Sequence, residues 1–167
     1  RLGVEGRAGY IFQTSPFLEY SNHQYKAMKN AYAGHLKYSF QLRPHTVADQ
    51  AYIGAYQGIG VGYFNFGNPE ELGNPLAVYL FQGGRIAQFS PRISLNYEWN
   101  FGASFGWKPY DEYDNPENQI IGSKVNAYLN VNLYLKWALS PKFDLMIGAT
   151  GSHFSNGNTQ YPNSGLN

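Results

Sequence analysis

Across residues 124–137 every second side chain is apolar: Val125, Ala127, Leu129, Val131, Leu133, Leu135 and Trp137 alternate with Lys124, Asn126, Tyr128, Asn130, Asn132, Tyr134 and Lys136. Residues 92–107 repeat the pattern, with Ile93, Leu95, Tyr97, Trp99, Phe101, Ala103, Phe105 and Trp107 set against Arg92, Ser94, Asn96, Glu98, Asn100, Gly102, Ser104 and Gly106. Residues two apart on a strand share a face, whereas a helix would scatter these side chains around its axis. The chain must therefore form strands with one apolar and one polar face. Weaker alternation runs through residues 4–12, 31–42 and 53–65. Residues 76–89 are apolar on both faces before Gly83 and Gly84, and a seventh strand is expected over 143–155.

These strands run to roughly 10 to 16 residues, against about 5 to 6 in soluble proteins. About 9 to 11 tilted residues already cross a bilayer. The connections alternate, with about 18, 10 and 15 residues after strands one, three and five, as external loops do in outer-membrane barrels. Short turns at Ser90-Pro91 and Ser140-Pro141 would mark the other end, with an intermediate connection around residues 44–50. A soluble lipocalin-like barrel also alternates, but it turns its apolar face inward. Here the polar faces carry Asn, Ser, Gly and Tyr with few Lys or Glu, which suits the interior of a small barrel better than contact with water. The expected fold is thus all-β, a transmembrane antiparallel barrel occupying residues 1–167 as one domain. Trp99, Trp107, Trp137 and Tyr63 are expected in its interfacial girdles. Bacterial barrels use an even number of strands, so eight are expected, the closing one beyond Asn167. The Gly-rich segment 54–67 fits barrel curvature and close packing. A diffusion porin is disfavoured, because about eight strands leave an interior filled by side chains.

Composition removes other classes. Twelve Lys plus Arg against eleven Asp plus Glu give a net charge of +1, too small an excess to neutralise a nucleic acid backbone. The chain has no cysteine, hence no disulfide and no thiolate metal site. A mean hydropathy of -0.43, with no apolar run near 18 residues, excludes a spanning helix but not a barrel. No charged and then apolar leader opens the chain, so it reads as mature.

On the seventh strand Phe143, Leu145, Ile147, Ala149, Gly151, His153 and Ser155 share one face, and its apolar members make that face lipid-facing. If the first strand runs outward, so does the seventh, and His153 and Ser155 emerge on the outer wall beside the long loops. A histidine on the same face as a serine can take its hydroxyl proton during nucleophilic attack. Asn156 and nearby backbone N–H groups can supply donors to an oxyanion. On spacing alone the pair reads more readily as two interfacial polar residues closing the apolar belt, since His-x-Ser is a weak signal. His23, His35 and His45 show no ligand spacing with each other or with His153, so no metal is expected; His35 reads as a lumen residue, the other two as loop residues. Asp111, Glu112 and Asp114, beside Tyr110 and Tyr113, offer oxygens to a cation but lack an EF-hand pattern and read as a solvated loop.

The wider string His153-Phe154-Ser155-Asn156-Gly157, followed by Tyr161-Pro162-Asn163-Ser164-Gly165-Leu166-Asn167, resembles the outer-membrane lipid A 3-O-deacylase family, PagL, and its acyloxyacyl hydrolase-like relatives. The resemblance implies an eight-stranded barrel in the bacterial outer membrane with a serine hydrolase site on its lipid-facing wall. It would remove an ester-linked acyl chain from an outer-leaflet glycolipid, without a cofactor. Ser155 would be the nucleophile, His153 the general base and Asn156 an oxyanion-hole residue; Pro162, Asn163 and Gly165 fall on the family's loop pattern. One position departs: Asn167 stands where the family places the glutamate that orients the histidine. An amide can accept the ring N–H but cannot stabilise an imidazolium as a carboxylate does, a change that costs about 10⁴ in turnover in serine proteases. Asp111, Glu112, Asp114 or Glu117, or residues beyond Asn167, are alternative sources of a carboxylate. The rival reading is a catalytically silent relative serving as a structural or interaction subunit of an outer-membrane assembly.

Overall fold

The computed structural model describes residues 1–41 and 54–167, so that Leu42, His45, the 44–50 connection and Ile53 lie outside the described residues. Seven antiparallel strands form one sheet in chain order: β1 (Leu2–Tyr10), β2 (Asn30–Gln41), β3 (Tyr56–Asn65), β4 (Gly73–Gln88), β5 (Ile93–Trp107), β6 (Val125–Ala138) and β7 (Asp144–Ser155). A short helix, α1 (Pro16–Glu19), lies in the first connection. The strands match the alternating segments closely, except that β4 starts at Gly73, which shortens the third connection. Among the described residues no helix is long and apolar enough to cross a membrane, which leaves crossing by strands untouched.

The faces follow the sequence period. Val131, Leu133, Phe101 and Phe105 point outward and are 65%, 50%, 55% and 44% exposed, while Asn100, Asn126, Asn130, Asn132 and Glu98 are buried on the opposite face. Leaving an apolar side chain of this size in water forfeits about 1.5–3 kcal/mol, so a whole wall of them is stable only against lipid. A lipocalin would show the inverse arrangement. The sheet curls until β1 reaches across to β7: Arg1 Nη1 pairs with Asp144 at 2.9 Å, and Arg7 Nη1 donates to Thr150 Oγ1 at 3.4 Å.

The inward face divides into two zones. Towards the short-turn end, Lys37 donates to Glu98 and, at 3.3 Å, to Glu5; Arg7 donates to Glu5 at 2.6 Å, and Tyr56 and Asn132 donate to Glu98 at 2.9 and 3.1 Å. Two acids and two bases thus neutralise one another inside the sheet. His35 is buried as expected of a lumen residue, 2.9 Å from the Tyr79 hydroxyl. Gly60 on β3 makes room here, since a methyl in its place would meet the Tyr79 ring at 2.4 Å.

Towards the other end lies an aromatic core that the alternation did not announce. Phe64, Phe66, Trp107, Tyr128 and Phe154 pack with ring centroids 5.0–6.2 Å apart, beneath Ile11, Phe17, Leu18, Leu72, Ile120 and Ile121 from the loops. Trp107 corrects the girdle expectation. Whereas Trp99, Trp137 and Tyr63 face outward, Trp107 is only 4% exposed and stacks on Phe66. The cause is local: Gly106 has φ +87°, and the β4–β5 register shifts between Gly73 and Leu76. This irregularity breaks the alternation and turns the indole inward.

Connections 11–29, 66–72 and 108–124 share one end of the sheet, and turns 89–92 and 139–143 share the other. The loops are tied together at Glu71. Its Oε2 accepts from His23 N (3.0 Å) and Asn68 Nδ2 (2.6 Å), while its backbone carbonyl accepts from Asn115 and Asn118 Nδ2 (2.9 and 3.0 Å). His23 is accordingly a loop residue, as expected.

Candidate active site

Phe154 sets the orientation of the site. Its ring enters the aromatic core, so its neighbours His153 and Ser155 must face the outer wall. There His153 lies opposite Leu129 and Ser155 opposite Ala127 of β6, both on its outward face. Ser155 is the last residue of β7, at the end that carries the long loops. Both are half-buried rather than projecting freely.

Beyond Ser155 the chain turns through Gly157 and Asn158, at φ +66° and +64°, and returns to β7. Leu166, 1% exposed, forms a paired bridge with Phe154: Leu166 N donates to Phe154 O at 3.0 Å, and Phe154 N donates to Leu166 O at 2.9 Å. Next to this anchor, Asn167 Oδ1 lies 2.7 Å from His153 Nδ1, and its backbone carbonyl accepts from Phe12 N at 3.1 Å. With Nδ1–H donating to the amide oxygen, the neutral ring carries its proton there and Nε2 remains an acceptor, the tautomer a general base requires. Among the described residues, neither Nε2 nor Ser155 Oγ has a hydrogen-bond partner. In an unliganded hydrolase the nucleophile–base contact is commonly loose and tightens around substrate.

The remaining candidates divide. Asn156 is tied into the turn: its N–H donates to Asn163 Oδ1 at 3.1 Å, and Nδ2 donates one hydrogen to Gln160 O at 2.6 Å. The second hydrogen of that amide is unengaged among the described residues. Asn163 sits directly beside it, and its amide nitrogen has no partner among the described residues. Asp111 accepts from the N–H groups of Tyr113 and Asp114 at 2.9 and 3.0 Å, which holds its carboxyl below the ordinary aspartate range. It closes a turn of its own loop. Glu112, Asp114 and Glu117 are exposed on that loop, and Asn167 is the described partner of His153. No group of three His, Asp or Glu side chains able to hold a metal occurs among the described residues.

Two supports escaped sequence reasoning. Loop 108–124 buttresses the returning segment, Gly165 N donating to Ile120 O at 3.3 Å; Asn118 Oδ1 in turn accepts from the N–H groups of Ile120 and Ile121 at 3.3 and 3.2 Å. A buried amide in a loop has no sequence signature that separates it from an exposed one.

No curated protein and no solved structure matches the chain significantly. The family model described as lipid A 3-O-deacylase (PagL) matches residues 4–167. The likeness seen in the final fifteen or so residues therefore extends through every strand of the sheet, and the chain belongs to the lipid A 3-O-deacylase (PagL) family.

Proposed function

We propose that the protein is a lipid A deacylase-like serine esterase of the bacterial outer membrane, cleaving an ester-linked acyl chain from an outer-leaflet glycolipid. The observation that carries this reading is the His153–Asn167 hydrogen bond beside Ser155, on an apolar wall of a chain of this family. Substrate would reach such a site laterally within the leaflet, which accounts for polar reactive groups facing lipid.

In the mechanism, Ser155 Oγ attacks the ester carbonyl carbon while its proton passes to His153 Nε2. Asn167 Oδ1 holds the opposite ring nitrogen, and Asn156, next to Ser155, donates to the oxyanion through the amide hydrogen left free in the turn. Collapse expels the glycolipid hydroxyl, which takes the imidazolium proton. Water, deprotonated by His153, then attacks the acyl-serine; the fatty acid is released as Ser155 Oγ leaves and takes the proton back from the imidazolium.

Asn167 in the acid's place favours a second reading, a silent barrel that keeps the arrangement without turnover. The deciding experiment incubates the full chain with lipid A in mixed micelles and measures released fatty acid. Release that disappears in Ser155→Ala supports the esterase. No release from the unmodified chain or from Asn167→Glu, across several acylation patterns, supports the silent barrel. Release that survives Ser155→Ala places the chemistry elsewhere.

A further inference from the structure

Gly165 lies between the two anchors of the returning segment, its N–H on Ile120 and its neighbour Leu166 bridged to Phe154. Its φ is +72°, and a Cβ built on it would lie 2.8 Å from His153 Cε1, 3.1 Å from Phe154 O and 3.5 Å from His153 Nε2. Ordinary contact begins at 3.4 Å, so any side chain here must displace the imidazole. Displacement has nowhere neutral to go. The ring is held at Nδ1 by Asn167, so a push on Cε1 either stretches that bond or swings Nε2, the atom that must receive the serine proton. Other left-handed glycines lack this coupling: Gly67, at φ +78° in loop 66–72, has open space where its Cβ would be.

We propose that Gly165 is a positioning residue for His153. It and Asn167 grip the ring from two sides, Gly165 by the absence of a side chain and Asn167 by a hydrogen bond. The catalytic consequence rests on the esterase reading above; the geometric claim does not.

The test uses the full chain in detergent micelles, with its four histidines labelled with carbon-13 at Cε1, as Gly165→Ala, Gly67→Ala and Ser155→Ala. Gly165→Ala is expected to move the His153 ring resonance while leaving the other histidines in place. It should also lower kcat on the order of 10- to 10²-fold, the scale of a misplacement near 1 Å, with KM within about twofold. Gly67→Ala imposes the same left-handed strain without the contact and should change neither. A His153 resonance in Gly165→Ala identical to that in Gly67→Ala would overturn the proposal, as would an unchanged kcat alongside an inactive Ser155→Ala. Release that persists in Ser155→Ala would overturn the esterase reading instead, with the resonance still deciding the ring's position. Should Gly165→Ala fail to fold, adding His153→Ala removes the ring that the new methyl strikes. Restored folding then supports the contact, and continued failure overturns it.

Discussion

The lumen cluster around Glu98 and the trio His153, Ser155 and Asn167 are polar groups on opposite faces of one sheet, and they differ in how fully they are partnered. Glu98 accepts from Lys37, Tyr56 and Asn132, and Lys37 also reaches Glu5. Outside, Asn167 satisfies one ring nitrogen, but the other nitrogen and the Ser155 hydroxyl are unpartnered among the described residues on a wall built to face lipid. A buried polar group without a partner costs about 1–3 kcal/mol, so the fully paired Glu98 carboxylate is arranged for stability, although Arg7 Nη2 and His35 Nε2 beside it are buried without a partner. His153 and Ser155, half-buried on the outer wall, leave a ring nitrogen and a hydroxyl open. What sets the Glu98 carboxylate apart from the outer pair is the completeness of its own pairing.

That contrast is broken most directly at Ser155. Ser155→Ala should lower fatty-acid release by at least about 10³-fold while shifting unfolding stability by less than about 0.5 kcal/mol, read by urea titration of the same micellar sample. Glu98→Leu should do the reverse. It leaves Lys37 short of a buried partner and should destabilise the sheet by about 3 kcal/mol, with kcat of the folded fraction within about twofold. A large loss of kcat in Glu98→Leu would show that the two faces are coupled. Asn167→Glu sharpens the comparison, because a carboxylate stabilises the imidazolium formed during attack. Turnover should rise on the order of ten- to a hundredfold, below the 10⁴ ceiling because desolvation at a lipid surface partly neutralises the acid. An unchanged rate would detach Asn167 from the chemistry.

The smallest effect belongs to Asp111. Its carboxyl is held below the ordinary aspartate value by the N–H groups of Tyr113 and Asp114, so its contribution to the turn is complete above that ordinary value and fades as pH falls through the lowered one. Amide exchange at Tyr113 and Asp114, compared between wild type and Asp111→Asn, should converge at low pH, with activity unaffected at neutral pH. A loss of activity in Asp111→Asn would make this loop carboxylate part of the site after all.

Much of this was legible because a strand's period is two. Once Phe101, Phe105, Val131 and Leu133 were assigned to one face, the placement of His153 and Ser155 on the β7 outer wall followed from their spacing to Leu145 and Ile147. The same rule misplaced Trp107, because a single left-handed glycine shifts the register, and alternation cannot reveal where such a shift falls. Asn156 was legible as a polar neighbour of Ser155, but not as one whose N–H and one amide hydrogen are held by Asn163 and Gln160. Those partners come from a turn whose course depends on its packing against loop 108–124. The aromatic core beneath the loops was hidden for a similar reason, since Phe17, Leu72 and Ile120 lie in connections that have no period to read.

By itself, the sequence determined which residues of the regularly alternating strands face lipid, which end of β7 carries the serine and that position 167 holds an amide. Each is a local property, set by alternating side-chain direction or by residue identity. Only the tertiary structure decided that Asn167 meets His153 across a separation of 14 positions, that Gly165 closes against the ring, and that Asn156 is tied into the turn. These contacts arise where the returning segment docks through the Leu166–Phe154 bridge and the Ile120 carbonyl, and no rule of spacing along one strand specifies where a loop comes to rest on another.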